Sequence, residues 1–137
     1  MLEVIDSILL ILVGVSIIMY WVFWIAKGGL KDGIRTMEYG TYITPHIAAE
    51  FVTDALCIAS GIAIFLGFFW GLVLGLFASG MLLYVGVNSL NWGLIYSKSL
   101  SVVFVVVAVF SVISLMILWS TLQFPGSFRW IVSSILY

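Results

Sequence analysis

Residues 45–92 read PHIAAEFVTDALCIASGIAIFLGFFWGLVLGLFASGMLLYVGVNSLNW. Two long apolar runs, about 45–66 and 70–92, are separated by little more than Gly67-Phe68-Phe69. A hydrocarbon core of about 30 Å takes roughly 20 helical residues to cross, so each run is long enough to span it. A connection this short makes the two helices antiparallel neighbours. Outward from this hairpin, two further runs of the same kind cover about 7–26 and 99–122. No dyad alternation of barrel strands is visible, and helices satisfy their own backbone in lipid. The sequence predicts an all-α membrane protein. Residues 1–137 form a single transmembrane domain, a four-helix bundle ending in a short interfacial C-terminal segment over 127–137.

Composition excludes several other classes. The chain is 64% apolar, 16% aromatic and only 8% charged, with a formal net charge of -1. Soluble domains average roughly 25% charged residues, and so little polar surface cannot cover a water-exposed globule. Five scattered cations make no basic stripe, so no nucleic-acid partner is expected. Cys57 is the single cysteine, which rules out a disulfide scaffold. The first run is not read as a secretory signal, because Glu3 and Asp6 precede it without Lys or Arg and no small-x-small cleavage site follows.

The cations set an expected topology. Lys27, Lys31 and Arg35 follow the first span and Lys98 follows the third, against Arg129 alone on the other side. This bias places both long connections in the cytoplasm and both termini outside the cell membrane. Tyr20, Trp21, Trp24, Trp92 and Tyr96 would mark one interface, and Phe68, Phe69, Trp70 and Trp119 the other. The loop 27–44 reads as a topology-setting segment, and Lys27-Gly28-Gly29 as a helix end, not a phosphate loop.

Packing of the hairpin is expected to use small residues. A fold-back near residue 68 puts positions summing to about 137 at equal depth, so Ala55, Ala59 and Ala63 would face the stretch containing Gly71 and Gly75. With Gly67, these form a small-x3-small series of the kind that lets membrane helices approach closely.

The polar residues of the second span demand an explanation. His46, Glu50 and Asp54 recur every four positions and form one stripe, descending about 12 Å into the membrane. Thr44-Pro45 is the expected helix start, with Thr as N-cap and Pro in the first turn. The equal-depth rule sets His46 level with Asn91, Glu50 with Asn88 and Asp54 with Tyr84, and Tyr20 of the first span at the depth of Asp54. A polar pocket among the first three spans, backed by the fourth and open to the cytoplasm, is the result. Three uses remain open for it: packing specificity, a site handling protons, a cation or a small polar head group such as a quinone's, or docking of a partner subunit. One histidine is too few for a di-iron or bis-histidine haem site, and Cys57 sits where a thiol is inert. No metal or other cofactor is expected.

His46-Ile47-Ala48-Ala49-Glu50, Gly61, Gly67, Trp70-Gly71 and Gly80-Met81-Leu82-Leu83-Tyr84 through Asn88-Ser89 resemble small four-helix membrane proteins of the DoxX-like group, over residues 45–92. The resemblance implies an acidic residue opening the second span, here Glu50, and kinship with accessory membrane subunits of oxidoreductases. The expected role is therefore non-catalytic: an accessory or scaffolding subunit of a larger membrane complex. Its partners would be the lipid bilayer and other membrane subunits or further copies of itself. The alternative is a small transporter or proton/quinone-handling bundle using the acidic pocket.

Overall fold

The computed structural model describes residues 2–28, 40–96 and 98–123, with the side chains of 40–44, 91–93, 95–96 and 98–100 outside the description. The chain is a four-helix, all-α bundle. Its helices are α1 (Leu2–Ala26), α2 (Gly40–Phe65), α3 (Phe69–Tyr96) and α4 (Lys98–Gln123). All four are long and apolar enough to cross a membrane. Each helix packs antiparallel on its chain neighbours, and α1 closes the ring against α4 through the lightest of the interfaces.

Two helix limits differ from the sequence reading. α1 begins at Leu2, not near residue 7, and so takes Glu3 and Asp6 into its first two turns. Both side chains find hydroxyl partners on α4, which is what makes a buried start tolerable. α2 begins at Gly40, a turn before the expected Thr44-Pro45 start, and carries Pro45 inside it. Proline supplies no N–H to the carbonyl four residues earlier, so the helix passes through Pro45 with one ladder bond fewer. The proposed interfacial tail 127–137, the loop cations Lys31 and Arg35, and the side chain of Asn91 lie outside the described residues.

The turn between α2 and α3 follows from Gly67. Its φ of 79° is left-handed, its N–H donates to the Ile64 carbonyl at 2.9 Å, and the Phe68 N–H donates to Ala63 at 2.9 Å. This double closure is a Schellman end, and glycine adopts its φ without a Cβ penalty. Gly67 is thus a turn residue and not part of the packing seam.

Backbone proximity fixes the registers. A Cβ on Gly71 would lie 2.8 Å from Ala63, and one on Gly75 would lie 2.9 Å from Leu118 and 3.1 Å from Ile64. Of the three alanines expected in this seam only Ala63 is buried; Ala55 and Ala59 face outward. α2 is rotated so that Glu50, Thr53, Asp54, Cys57 and Ser60 turn inward, and the Ala55–Ala59 row lies about 100° away from Asp54. The other close approach is between α1 and α2. A Cβ on Gly14 would sit 2.7 Å from the Asp54 carbonyl oxygen, and one on Gly61 would sit 2.6 Å from that of Ser7. Both contacts share one antiparallel register, in which paired numbers of the two helices sum to 68. Between these seams Leu10, Cys57, Ile64, Leu72, Ala78, Leu82 and Leu118 form the buried apolar core.

Candidate buried acidic site

Glu50 is the centre of the site. It is 1% exposed and gathers three donors from three helices. From α1 the Trp21 indole N–H donates to Oε2. From α3 the Ser89 hydroxyl donates to Oε1 at 2.8 Å. One turn earlier on α2 itself, His46 Nε2 stands 3.0 Å from the same oxygen. Asn88 Nδ2 lies 3.4 Å from His46 Nδ1. With Nδ1 accepting from that amide, the ring proton sits on Nε2 and is aimed at Glu50. The His46 side chain is 19% exposed and that of Glu50 only 2%, so the imidazole stands between the rim and the buried carboxyl.

Asp54 lies one turn deeper and is 1% exposed. Its Oδ2 is buried and has no hydrogen-bond partner. Cys57 follows on the same face, fully buried against the apolar core. Among the described residues no lysine or arginine pairs with Glu50 or Asp54. The described cation Lys27 instead lies 4.3 Å over the Phe23 ring at the exposed end of α1.

The site therefore unites His46, Glu50, Asp54 and Asn88 as the sequence suggests, but with a different set of partners. Tyr84 is 71% exposed and turned away, so it is not the partner of Asp54. Nor is Tyr20 at that depth: Gly14 is, and the exposed Tyr20 instead packs edge-on against Trp21 at 5.5 Å. The α1–α2 register explains this, because close packing at Gly14 and Gly61 slides α1 until Trp21 meets Glu50. Trp21 and Ser89 are thus the site residues that sequence reasoning passed over. Ser89 could have been found, since it falls within two positions of the level that the fold-back rule assigns to Glu50.

A second buried acidic group occupies the far half of the bundle. Asp6 is 1% exposed, and its Oδ2 accepts from the Ser114 hydroxyl at 3.0 Å. Ser114 in turn lies 2.9 Å from Ser79 of α3, and both serines are fully buried. Asp6 Oδ1 is buried without a partner. One turn nearer the chain start, Glu3 accepts from Thr121 at 3.2 Å. The sequence signal was two acids in the opening turns of an apolar helix, together with serines at the same level of α3 and α4.

No curated protein and no solved structure matches the chain. One family model, described as a domain of unknown function (DUF8058), matches residues 1–125, a stretch that takes in all four helices and both acidic groups. The chain belongs to the DUF8058 family.

Proposed function

We infer that the protein is a small multi-pass membrane protein that handles protons at the Glu50 site, with both termini outside the cell and the site opening to the cytoplasm. The carrying observation is the partnerless buried oxygen of Asp54 next to a carboxyl reached from the rim through His46. An ionised carboxylate in that position loses several kcal/mol of solvation with nothing to replace it, whereas a protonated one is neutral. The His46 imidazole, with one nitrogen that donates and one that accepts, stands between the rim and Glu50, and Glu50 is one helical turn from Asp54. Intramembrane ionisable groups without a cationic partner are the usual mark of a proton or ion pathway.

The test is infrared spectroscopy of the full chain in lipid vesicles through a pH titration. A carbonyl band of protonated carboxylic acid should grow on acidification and diminish in Glu50→Gln and in Asp54→Asn. A band that neither variant alters would overturn the reading.

A second reading, an accessory subunit of a larger membrane complex, is supported by the DoxX-like resemblance over residues 45–92. The apolar outer surfaces of α1 and α4, where Leu12, Met19, Val102, Val106, Val109 and Met116 are exposed, suit a neighbouring subunit and lipid alike. Purification in mild detergent with mass measurement of the intact complex separates the two. A stoichiometric larger partner favours the subunit, and a lone chain or homo-oligomer removes it.

A further inference from the structure

We propose that Asp6, with Ser114 and Ser79, is a second proton-binding station on the opposite side of the membrane, and that the bundle carries protons between it and Asp54. The proposal rests on the reading of the Glu50 site above and extends it across the bilayer.

Three observations place the station. Asp6 is buried, its Oδ2 is bonded to Ser114, and its Oδ1 has no partner. Such a carboxyl is satisfied on one oxygen and open on the other. Ser114 lies between Asp6 and Ser79 in a two-hydroxyl chain that can reverse its polarity. A proton delivered to the Ser114 oxygen displaces the hydroxyl proton already there onto Asp6 Oδ2, turning carboxylate into carboxylic acid. The reverse transfer releases it, and each step moves one proton in and one proton out. Finally, the groups around Asp6 leave it without a compensating cation among the described residues. α4 contributes the hydroxyls of Ser114 and Thr121, α3 contributes Ser79, α2 contributes Cys57 with Asp54 further along the same face, and α1 itself contributes Glu3 nearer the chain start.

The α1–α2 register places Asp6 eight residues from the level of Asp54, about 12 Å along the axis. Leu10, fully buried on the same face of α1, and Cys57 of α2 form an apolar layer in that interval, with the buried Ser60, bonded to the Cys57 carbonyl, on its Asp6 side. Direct transfer across it is impossible at hydrogen-bond distances, so this apolar layer is the closed gate of the path. An apolar constriction blocks conduction by excluding water.

The experiment is an acid pulse applied to vesicles holding the full-length protein and a trapped pH-sensitive dye. The wild type should acidify the lumen faster than empty vesicles. Asp6→Asn should slow that rate by about a hundredfold, the lower end of what a positioned proton-transfer group contributes. Ser114→Ala, which keeps the acid and removes its donor, should slow it as well. Leu10→Ser, which wets the gate, should raise it several-fold. All variants are first checked for monodispersity and helicity, and Ser114→Ala and Leu10→Ser keep the test decisive if Asp6→Asn does not fold. A rate unaltered by Asp6→Asn and Ser114→Ala, yet abolished by Glu50→Gln, overturns the second station and leaves the Glu50 site standing. A wild-type rate equal to that of empty vesicles overturns the path. The infrared titration of Glu50 and Asp54 is then the separate judge of proton binding at the first site.

Discussion

Gly14 of α1 lies against the backbone of Asp54 so closely that a Cβ there would fall 2.7 Å from the Asp54 carbonyl oxygen. This contact sets the depth of α1 relative to α2, and with it the meeting of Trp21 and Glu50. Gly14→Ala should therefore push the two helices apart, costing about 1–3 kcal/mol as overpacked interfaces do. Gly80 supplies the contrast, because nothing lies within 4 Å of a Cβ built on it. Gly80→Ala should be neutral or stabilise by up to about 1 kcal/mol, from reduced backbone entropy in the unfolded chain. Thermal unfolding in detergent distinguishes the pair.

Removing the indole donor gives a second outcome. Trp21→Phe keeps an aromatic ring near Glu50 but leaves Oε2 without its partner from α1. The expected loss is about 1–3 kcal/mol, the range for a buried acceptor deprived of its donor. Trp24→Phe, on the next turn and without a bond to Glu50, should change stability little. Equal effects of the two substitutions in thermal melts would contradict the geometry.

Ser114 and Ser120 lie six residues apart on α4 and should respond differently. Ser114 is buried between Asp6 and Ser79, whereas Ser120 is exposed and bonds only to the Ile117 carbonyl of its own helix. Ser114→Ala should destabilise by about 1–3 kcal/mol, through two buried groups left with one partner fewer. Ser120→Ala should stay within about 0.5 kcal/mol of the wild type. Denaturant or thermal titration of both checks this.

The turn at Gly67 gives a fourth outcome. Its φ of 79° suits glycine, and next best asparagine. Gly67→Ala should cost about 1–2 kcal/mol of strain and Gly67→Asn less, read as an ordering of melting temperatures.

Much of this arrangement was legible in the chain. Four uninterrupted apolar runs set the helices, and Gly67 between two of them set the hairpin. The His46–Glu50–Asp54 spacing put three polar groups on one face before any neighbour was known. Helix rotation and register were not legible, because they depend on which residues have no side chain at a contact. Ala55 and Ala59 fit a small-residue seam by spacing, yet burial of Glu50 and Asp54 turns that row outward. Gly14 and Gly61, which set the α1–α2 register, carry no chemical signal of their own. Tyr84, polar and at a suitable level, was a natural partner for Asp54 until the rotation of α3 turned it away. Asp6 read as a residue ahead of the membrane, since only Ser114, more than a hundred positions later, gives it a place inside.

The central claim is that Glu50 and Asp54 take up protons within the bundle, and carbodiimide labelling tests it most directly. Dicyclohexylcarbodiimide partitions into the bilayer and adds to carboxyls that are protonated in apolar surroundings. Peptide mass mapping of the full chain in vesicles should find adducts on the segment carrying Glu50 and Asp54, more heavily as the pH is lowered, and lost in the Glu50→Gln/Asp54→Asn double variant. Absence of any adduct there, or labelling that does not change with pH, would contradict the account.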